Sequence, residues 1–307
     1  MPPVRLHLFG RFSVTYENRS IEGFDASKAQ ELLCYLLLNP KAHAREALAN
    51  ILWADSSPAQ SKKYLRQTLW QLQSSLESHL RPLPHRVALV QAEWVSLNPA
   101  LDLWLDVAVV ENAFSLLQRE LIDELKPSTA KAVQEAVELY RGDLLEGCYH
   151  DWCLYERERL RNMYLVMLER LIAHSESRLE YDRGLSYAAQ ALRYEHASER
   201  THRHIMRLYY FAGDRTAALR QYDRCVAALK AEFDVKPTSR TVELFRRIQA
   251  DQLTPGGPSP NLTSESAKAL LPEVLNHLKQ VRATLSAIQA QVQKEIRLVE
   301  VALTDRR

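Results

Sequence analysis

Apolar and polar residues alternate along positions 4–16: Val4, Leu6 and Leu8 share one face, and Phe12, Val14 and Tyr16 continue it after Gly10-Arg11. A period of two is that of a strand, and the Gly-Arg break makes the segment strand, turn, strand. Helical spacing then takes over. Ala29, Leu32, Leu33, Leu36 and Leu37 form a stripe closed by Asn39-Pro40, and a shorter helix fits 45–53 with Leu48, Ile51 and Leu52 inward. A third helix opens at Ser57-Pro58-Ala59-Gln60. Ser is a good N-cap, Pro suits the first helical position, and Gln three residues after the cap completes a capping box. Behind that start, Leu65, Leu69, Leu72 and Leu76 lie within about 60° of one another on a helical wheel. The opposite side carries Lys63, Arg66, Gln67, Trp70 and Ser74, flanked by Lys62 and Gln73. Two β-like runs, 87–90 and 94–97, follow with Gln91-Ala92-Glu93 between them, which predicts a hairpin without a turn glycine. Two strands, three helices and a terminal hairpin are the order of a winged helix with an N-terminal sheet.

From about Asp106 to Gln252 the pattern is helical nearly throughout, and it repeats. Gly184-Leu185, Ala188 and Ala191 match Ala218-Leu219, Tyr222 and Cys225 at an offset of 34 residues. That is the period of tetratricopeptide helix pairs, in which small residues let paired helices approach, and the helical material at 128–180 supplies neighbours for the stack. Thr254-Pro-Gly-Gly-Pro-Ser-Pro260 then reads as a linker. Beyond it Leu271, Leu278, Leu285, Val292 and Val299 recur every seven residues, with Val274, Val281 and Ile288 between them. About four such heptads predict a coiled coil. So many apolar residues are not left in water on a lone helix, so the segment either self-associates as a dimer or higher oligomer or packs back on the repeats.

The expected fold is therefore mainly α: an N-terminal α+β winged helix, tetratricopeptide-like repeats and a C-terminal coiled-coil helix. The expected boundaries are 1–104, 105–252, a linker at 253–263 and an oligomerisation helix at 264–307.

Composition sharpens this picture in two places. Only 8 of 307 residues are glycine, against a usual share of about 7%, which counts against Gly-rich phosphate loops and turn-dense β-sandwiches. The formal net charge of +2 excludes a uniformly basic coat. Located along the chain, the charge is uneven. Residues 57–90 hold Lys62, Lys63, Arg66, Arg81 and Arg86 against Glu77 alone, whereas 111–263 carry 22 basic and 23 acidic residues. The four cysteines are irregularly spaced and make no disulfide framework. The N-terminal residues have no signal-peptide pattern, and no stretch approaches the roughly 18 apolar residues of a membrane span, so a reduced cytoplasmic setting is expected.

Residues 4–110 are similar to the winged-helix DNA-binding domain of SARP-type bacterial transcriptional regulators. Leu-Trp-Ala-Asp-Ser-Ser-Pro (52–58) and Tyr-Leu-Arg-Gln-Thr-Leu-Trp-Gln-Leu (64–72) stand where that family has its turn and recognition helix. In the wing, Glu93-Trp94 replaces the family's usual Gly-Tyr pair. Residues 105–250 resemble the bacterial transcriptional activation domain that follows. The matching stretches are Leu139-Tyr-Arg-Gly-Asp-Leu-Leu-Glu146, Trp152 with Glu156-Arg-Glu-Arg-Leu160, Ala212–Cys225 and Glu232-Phe-Asp-Val-Lys-Pro237. The resemblance implies double-stranded promoter DNA and RNA polymerase holoenzyme as partners, in the cytoplasm at the nucleoid. It says nothing of the C-terminal helix, and no nucleotide-binding ATPase module follows as in some larger relatives.

The chemistry of the third helix suits that role. A helix fits the major groove; Arg66 can pair bidentately with guanine and Gln67 with adenine, while Lys62 and Lys63 suit phosphates. The alternative is an ordinary solvated face. Trp70, on the polar side, either packs against the wing or an adjacent protomer or lies on a sugar edge. His85 and Arg86, at the start of the hairpin, are either phosphate contacts or ordinary surface charge. Ten of thirteen tyrosines fall between Tyr140 and Tyr222, interleaved with arginines. They are knobs between helices or the lining of a concave effector surface. Cys148, His150, Asp151 and Cys153 lack a second ligand pair for a metal site, and His196, His202 and His204 sit among helical residues. No catalytic constellation, GxxxxGK[ST] or GxGxxG occurs, so neither an enzyme nor a cofactor is expected. Two rival classes remain: a helical-repeat adaptor whose winged helix binds protein, and an effector-sensing regulator.

Overall fold

The computed structural model describes residues 3–17, 19–21, 27–79, 88–120 and 125–253, without the side chains of 27 and 75–79. Its N-terminal sheet grows from the alternation at 4–16. Strand β1 (Val4–His7) pairs antiparallel with β2 (Ser13–Tyr16), placing Leu6 opposite Val14, and β2 pairs in turn with β3 (Arg19–Ser20). Val4, Leu6, Leu8 and Val14 are buried, as a half-buried sheet requires. Gly10, with φ of 78°, takes the left-handed conformation that the turn between the strands needs.

Helix α1 (Ser27–Leu38) buries Ala29, Leu32, Leu33 and Leu36, and stops where Asn39-Pro40 begins. Then come β4 (His43–Ala44), α2 (Arg45–Leu52) and α3 (Pro58–His79). The hairpin forms from β5 (Ala88–Gln91) and β6 (Trp94–Leu97), with Gln91 directly opposite Trp94. The turn is therefore two residues rather than three. Ala92 supplies the left-handed backbone, φ 50°, that a glycine would normally take. Strand β4 adds to the hairpin through Ala44 and Trp94, giving a three-stranded sheet in the order β4-β6-β5. This is a winged helix.

One more strand closes the N-terminal sheet. β7 (Leu103–Leu105) lies parallel to β1, with Leu105 beside Leu6, and leads directly into α4 (Asp106–Gln118). The first residue of α4 does much of the joining. Asp106 is 1% exposed; its Oδ2 accepts from the backbone N–H groups of Leu8 (2.8 Å) and Phe9 (3.1 Å), and its Oδ1 from Val107 (2.8 Å). Burial raises its carboxyl above the usual range, against the three backbone donors that hold the charged form.

Helices α5 (Pro127–Leu139), α6 (Asp151–Ser177), α7 (Tyr181–Leu192), α8 (Glu199–Phe211), α9 (Arg215–Phe233) and α10 (Ser239–Gln249) complete the described chain. The 34-residue offset superposes α7 on α9, and the small residues do what the period predicts. Gly184 is buried so closely that a Cβ there would stand 3.0 Å from a Leu208 methyl on α8. Ala188, Ala218 and Cys225 have no exposed surface. α9 begins with Asp214 accepting from Ala217 N–H at 2.8 Å, and ends on Asp234 in the left-handed conformation, within the Glu232–Pro237 stretch.

The described residues up to Ala250 pack as one compact unit. A single apolar cluster runs from Val4 and Leu6 through Leu36 and Leu72 to Leu144, Leu160 and Ala191. Backbone bonds reinforce it: Leu145 N–H donates to Leu8 carbonyl (2.8 Å), Gly10 N–H to Asp143 carbonyl (2.8 Å) and Glu146 N–H to Gly10 carbonyl (2.9 Å). The linker at 254–260 and every heptad position from Leu271 to Val299 lie outside the described residues.

Candidate nucleic-acid interface

The third helix is seated by its leucines and by one serine. Leu65, Leu69 and Leu72 are buried, Thr68 is 4% exposed, and Ser61 is 1% exposed with its Oγ on the carbonyl of Ser57 (3.0 Å). The expected capping box takes a different form: Ser57 Oγ donates to Gln60 Oε1 at 3.3 Å, side chain to side chain, in an exposed first turn. With the leucines held inward, the outward stripe is fixed. Lys62, Lys63, Arg66 and Gln67 are exposed, and Trp70 is 69% exposed. Gln73 and Ser74, expected on the same face, are half-buried and contribute less surface. At 100° per residue, Lys63, Trp70 and Ser74 lie within about 40° of arc, with Arg66 and Gln67 on either side.

Two placements differ from what the chain order alone suggests. Lys62 meets Glu46 of α2 at 3.1 Å, an exposed pair worth about 0–1 kcal/mol and easily exchanged for a phosphate. Trp70 does not bury itself against the wing of its own protomer. On the side away from β5, β6 pairs with β4, and the Arg45 N–H just after β4 donates to the Glu93 carbonyl (2.8 Å), next to Trp94, itself 53% exposed. A two-residue strand leaves no alternation to read, so this contribution is invisible in the sequence. His85 and Arg86 lie outside the described residues.

Elsewhere the candidate groups find structural partners. His150 Nε2 sits 3.1 Å from Glu31 Oε2 and 3.0 Å from Lys28 Nζ, both on α1. Arg157 donates to the carbonyls of Leu144 (3.0 Å), Leu145 (3.0 Å) and Cys148 (2.9 Å), organising the loop that precedes α6. A hydrogen bond from the buried Cys153 thiol pulls Cys148 down to about 6. His202 lies between the His196 carbonyl (2.9 Å) and the Gln221 amide (2.7 Å); burial lowers its pKa. Glu176 accepts from Arg207 at 2.6 Å and faces His204 at 3.4 Å; burial disfavours its charge, but these two contacts prevail and hold it below the usual range.

The tyrosines divide between the two expectations. Tyr140 and Tyr164 are buried and stack at 4.0 Å with rings 13° apart, with Tyr194 edge-on to both. Burial raises Tyr164 to about 12. These are knobs between helices. The same three also line a cleft of about 510 Å³ bordered by Arg141 and Arg193, whereas Tyr149 and Tyr155 stand 77% and 76% exposed in and after the loop that precedes α6.

Residues 105–249 match the family described as bacterial transcriptional activator domain. That match spans a little under half of the chain. A solved structure, Mycobacterium tuberculosis EmbR in complex with a low affinity phosphopeptide, matches with a TM-score of 0.53 at 18% identity, over 90% of this chain and 71% of that one. At that identity the likeness is one of fold. None of the curated proteins matches the chain. The family match covers α4–α10, and the winged helix stands N-terminal to it. Among the described residues no helix is long and apolar enough to cross a membrane.

Proposed function

We propose that this chain is a SARP-type regulator that binds double-stranded promoter DNA sequence-specifically, with α3 in the major groove. The observation that carries the reading is the outward face of α3: Lys63, Arg66, Gln67 and Trp70 stand exposed, and no acidic residue occurs from Pro58 to Leu76. In this reading Arg66 pairs with guanine and Gln67 with adenine, Lys62 and Lys63 take phosphates, and Gln73, Ser74, His85 and Arg86 add contacts at the rim. The domain over 105–249 activates transcription by recruiting RNA polymerase holoenzyme; the family's description as an activator domain supports this part. The work is regulatory rather than catalytic, and its place is the cytoplasm, at the nucleoid.

Selection of the full chain against random duplexes at controlled salt tests the proposal. It should enrich one motif; an adaptor whose winged helix binds protein would enrich none. Leu271, Val274, Leu278, Val281, Leu285, Ile288, Val292 and Val299 would join protomers and raise local concentration on DNA. Truncation after Thr254 should then lower the mass measured by light scattering, and an unchanged mass would remove this element. The Tyr- and Arg-lined cleft favours one further reading, an effector site; a thermal shift on adding a cell metabolite is its test.

A further inference from the structure

Trp70 is the one large apolar side chain in the middle of a face otherwise made of hydrogen-bonding groups. Its neighbours on the wheel are Lys63, Arg66, Gln67 and Ser74, and at 69% exposure the indole projects rather than packs. A tryptophan left in water is costly, since burying a large apolar side chain stabilises by a few kcal/mol. The buried positions of α3 are already filled by Leu65, Thr68, Leu69 and Leu72. The occupant of the outer face must therefore offer apolar surface at its centre and negative charge around it, because the stripe is basic and free of acids.

A second protein surface, including another copy of this chain, would need an acidic ring around an apolar centre. The major groove offers both together: phosphates along its walls and, on its floor, the C5-methyl group of each thymine. Resting on the DNA-binding reading above, we infer that Trp70 reads a thymine methyl in the major groove, beside the base pair contacted by Arg66. The indole has one N–H donor and no acceptor, so it cannot make the bidentate pairs that guanine or adenine edges invite. Its large apolar faces match a methyl, whereas its one N–H would give at most a single bond to an acceptor that several bases share. Arg66 precedes Trp70 by one helical turn, so the two side chains reach neighbouring steps of the duplex.

The test uses the full chain and the duplex obtained by selection, with each thymine replaced singly by deoxyuridine. That exchange removes one methyl and leaves every hydrogen-bonding group in place. Wild type should lose about fourfold in affinity at one or two thymines, the effect of exposing one methyl-sized group. Trp70→Ala should bind the parent site more weakly and show no loss at those same positions. Trp70→Phe should restore part of the loss. Circular dichroism of both variants, expected to be unchanged for so exposed a position, guards against a folding artefact.

If wild type and Trp70→Ala respond alike to every deoxyuridine, the thymine contact is wrong while the DNA-binding reading stands. If Trp70→Ala instead lowers the oligomer mass without altering thymine dependence, Trp70 is a contact between protomers and the inference falls. If selection enriches no sequence, the inference falls together with the reading beneath it.

Discussion

The outward face of α3 and the helices of the repeats use the same cationic side chains to opposite ends. In the repeats, arginines are tied down. Arg207 is held by Glu176 at 2.6 Å, Arg159 by Glu111 and Glu156 at 2.6 and 2.7 Å, and Arg161 by Asp143 at 2.6 Å. Arg203 donates to Thr241 at 3.0 Å, whose hydroxyl also meets Glu199. Apart from Arg159–Glu156, which lies within α6, these contacts tie one part of the fold to another. On α3, Lys63 and Arg66 face outward along a helix with no carboxylate of its own before Glu77. A count of charges cannot separate these two uses. Partner availability does: a cation already paired stabilises the fold, and an exposed one without an acid nearby offers its charge to another molecule.

That contrast can be broken by substitution. The largest effect is expected for Arg66→Ala, which should remove the sequence preference of the selected duplex, a loss of about 1–3 kcal/mol in discrimination, with an unchanged melting temperature. Equal binding of wild type and variant to selected and scrambled duplexes would dismiss α3 as the reading helix.

Glu176→Gln should behave in the reverse way, lowering unfolding free energy by about 2 kcal/mol in denaturant titration and leaving DNA affinity as it was. Its pH signature follows from the direction of the shift. The folded-state pKa of Glu176 lies below its unfolded value, so its stabilisation is complete above the ordinary glutamate range, near 4.3, and is lost as pH falls through the folded value. The variant should therefore be less sensitive to acid than wild type in that window. A variant as acid-sensitive as wild type would mean that the Arg207 and His204 contacts add nothing.

The smallest effect belongs to Lys63→Ala. It should weaken binding to all duplexes a few-fold and reduce the slope of log affinity against log salt by about 1. A change confined to one sequence would turn Lys63 from a phosphate contact into a base contact.

Much of the contrast was legible before any fold was known. The leucine spacing of α3 oriented its polar face, and the 34-residue offset placed Gly184 and Ala218 at helix contacts. What escaped was whatever depends on a partner distant in sequence. β3, β4 and β7 are two or three residues long and exist only because a neighbouring strand completes their hydrogen bonds. Asp106 carries no local sign that its carboxylate will serve Leu8 and Phe9. The Glu46–Lys62 pair leaves no mark in the order of charges along the chain, because α2 approaches α3 only in space. The Ser57–Gln60 pattern marks a helix start, but in an exposed first turn the two side chains meet each other.

The bonds joining residues 8–10 to 143–146, with Asp106 behind them, have a geometric consequence for the proposed reading of DNA by α3. They tie the sheet of the winged-helix part to the activator domain, so in the proposed complex the direction in which that domain projects would follow the rotational phase of the operator on the duplex. Sliding the operator by half a turn, about five base pairs, carries the domain to the far side of the double helix, and a full turn of about ten brings it back.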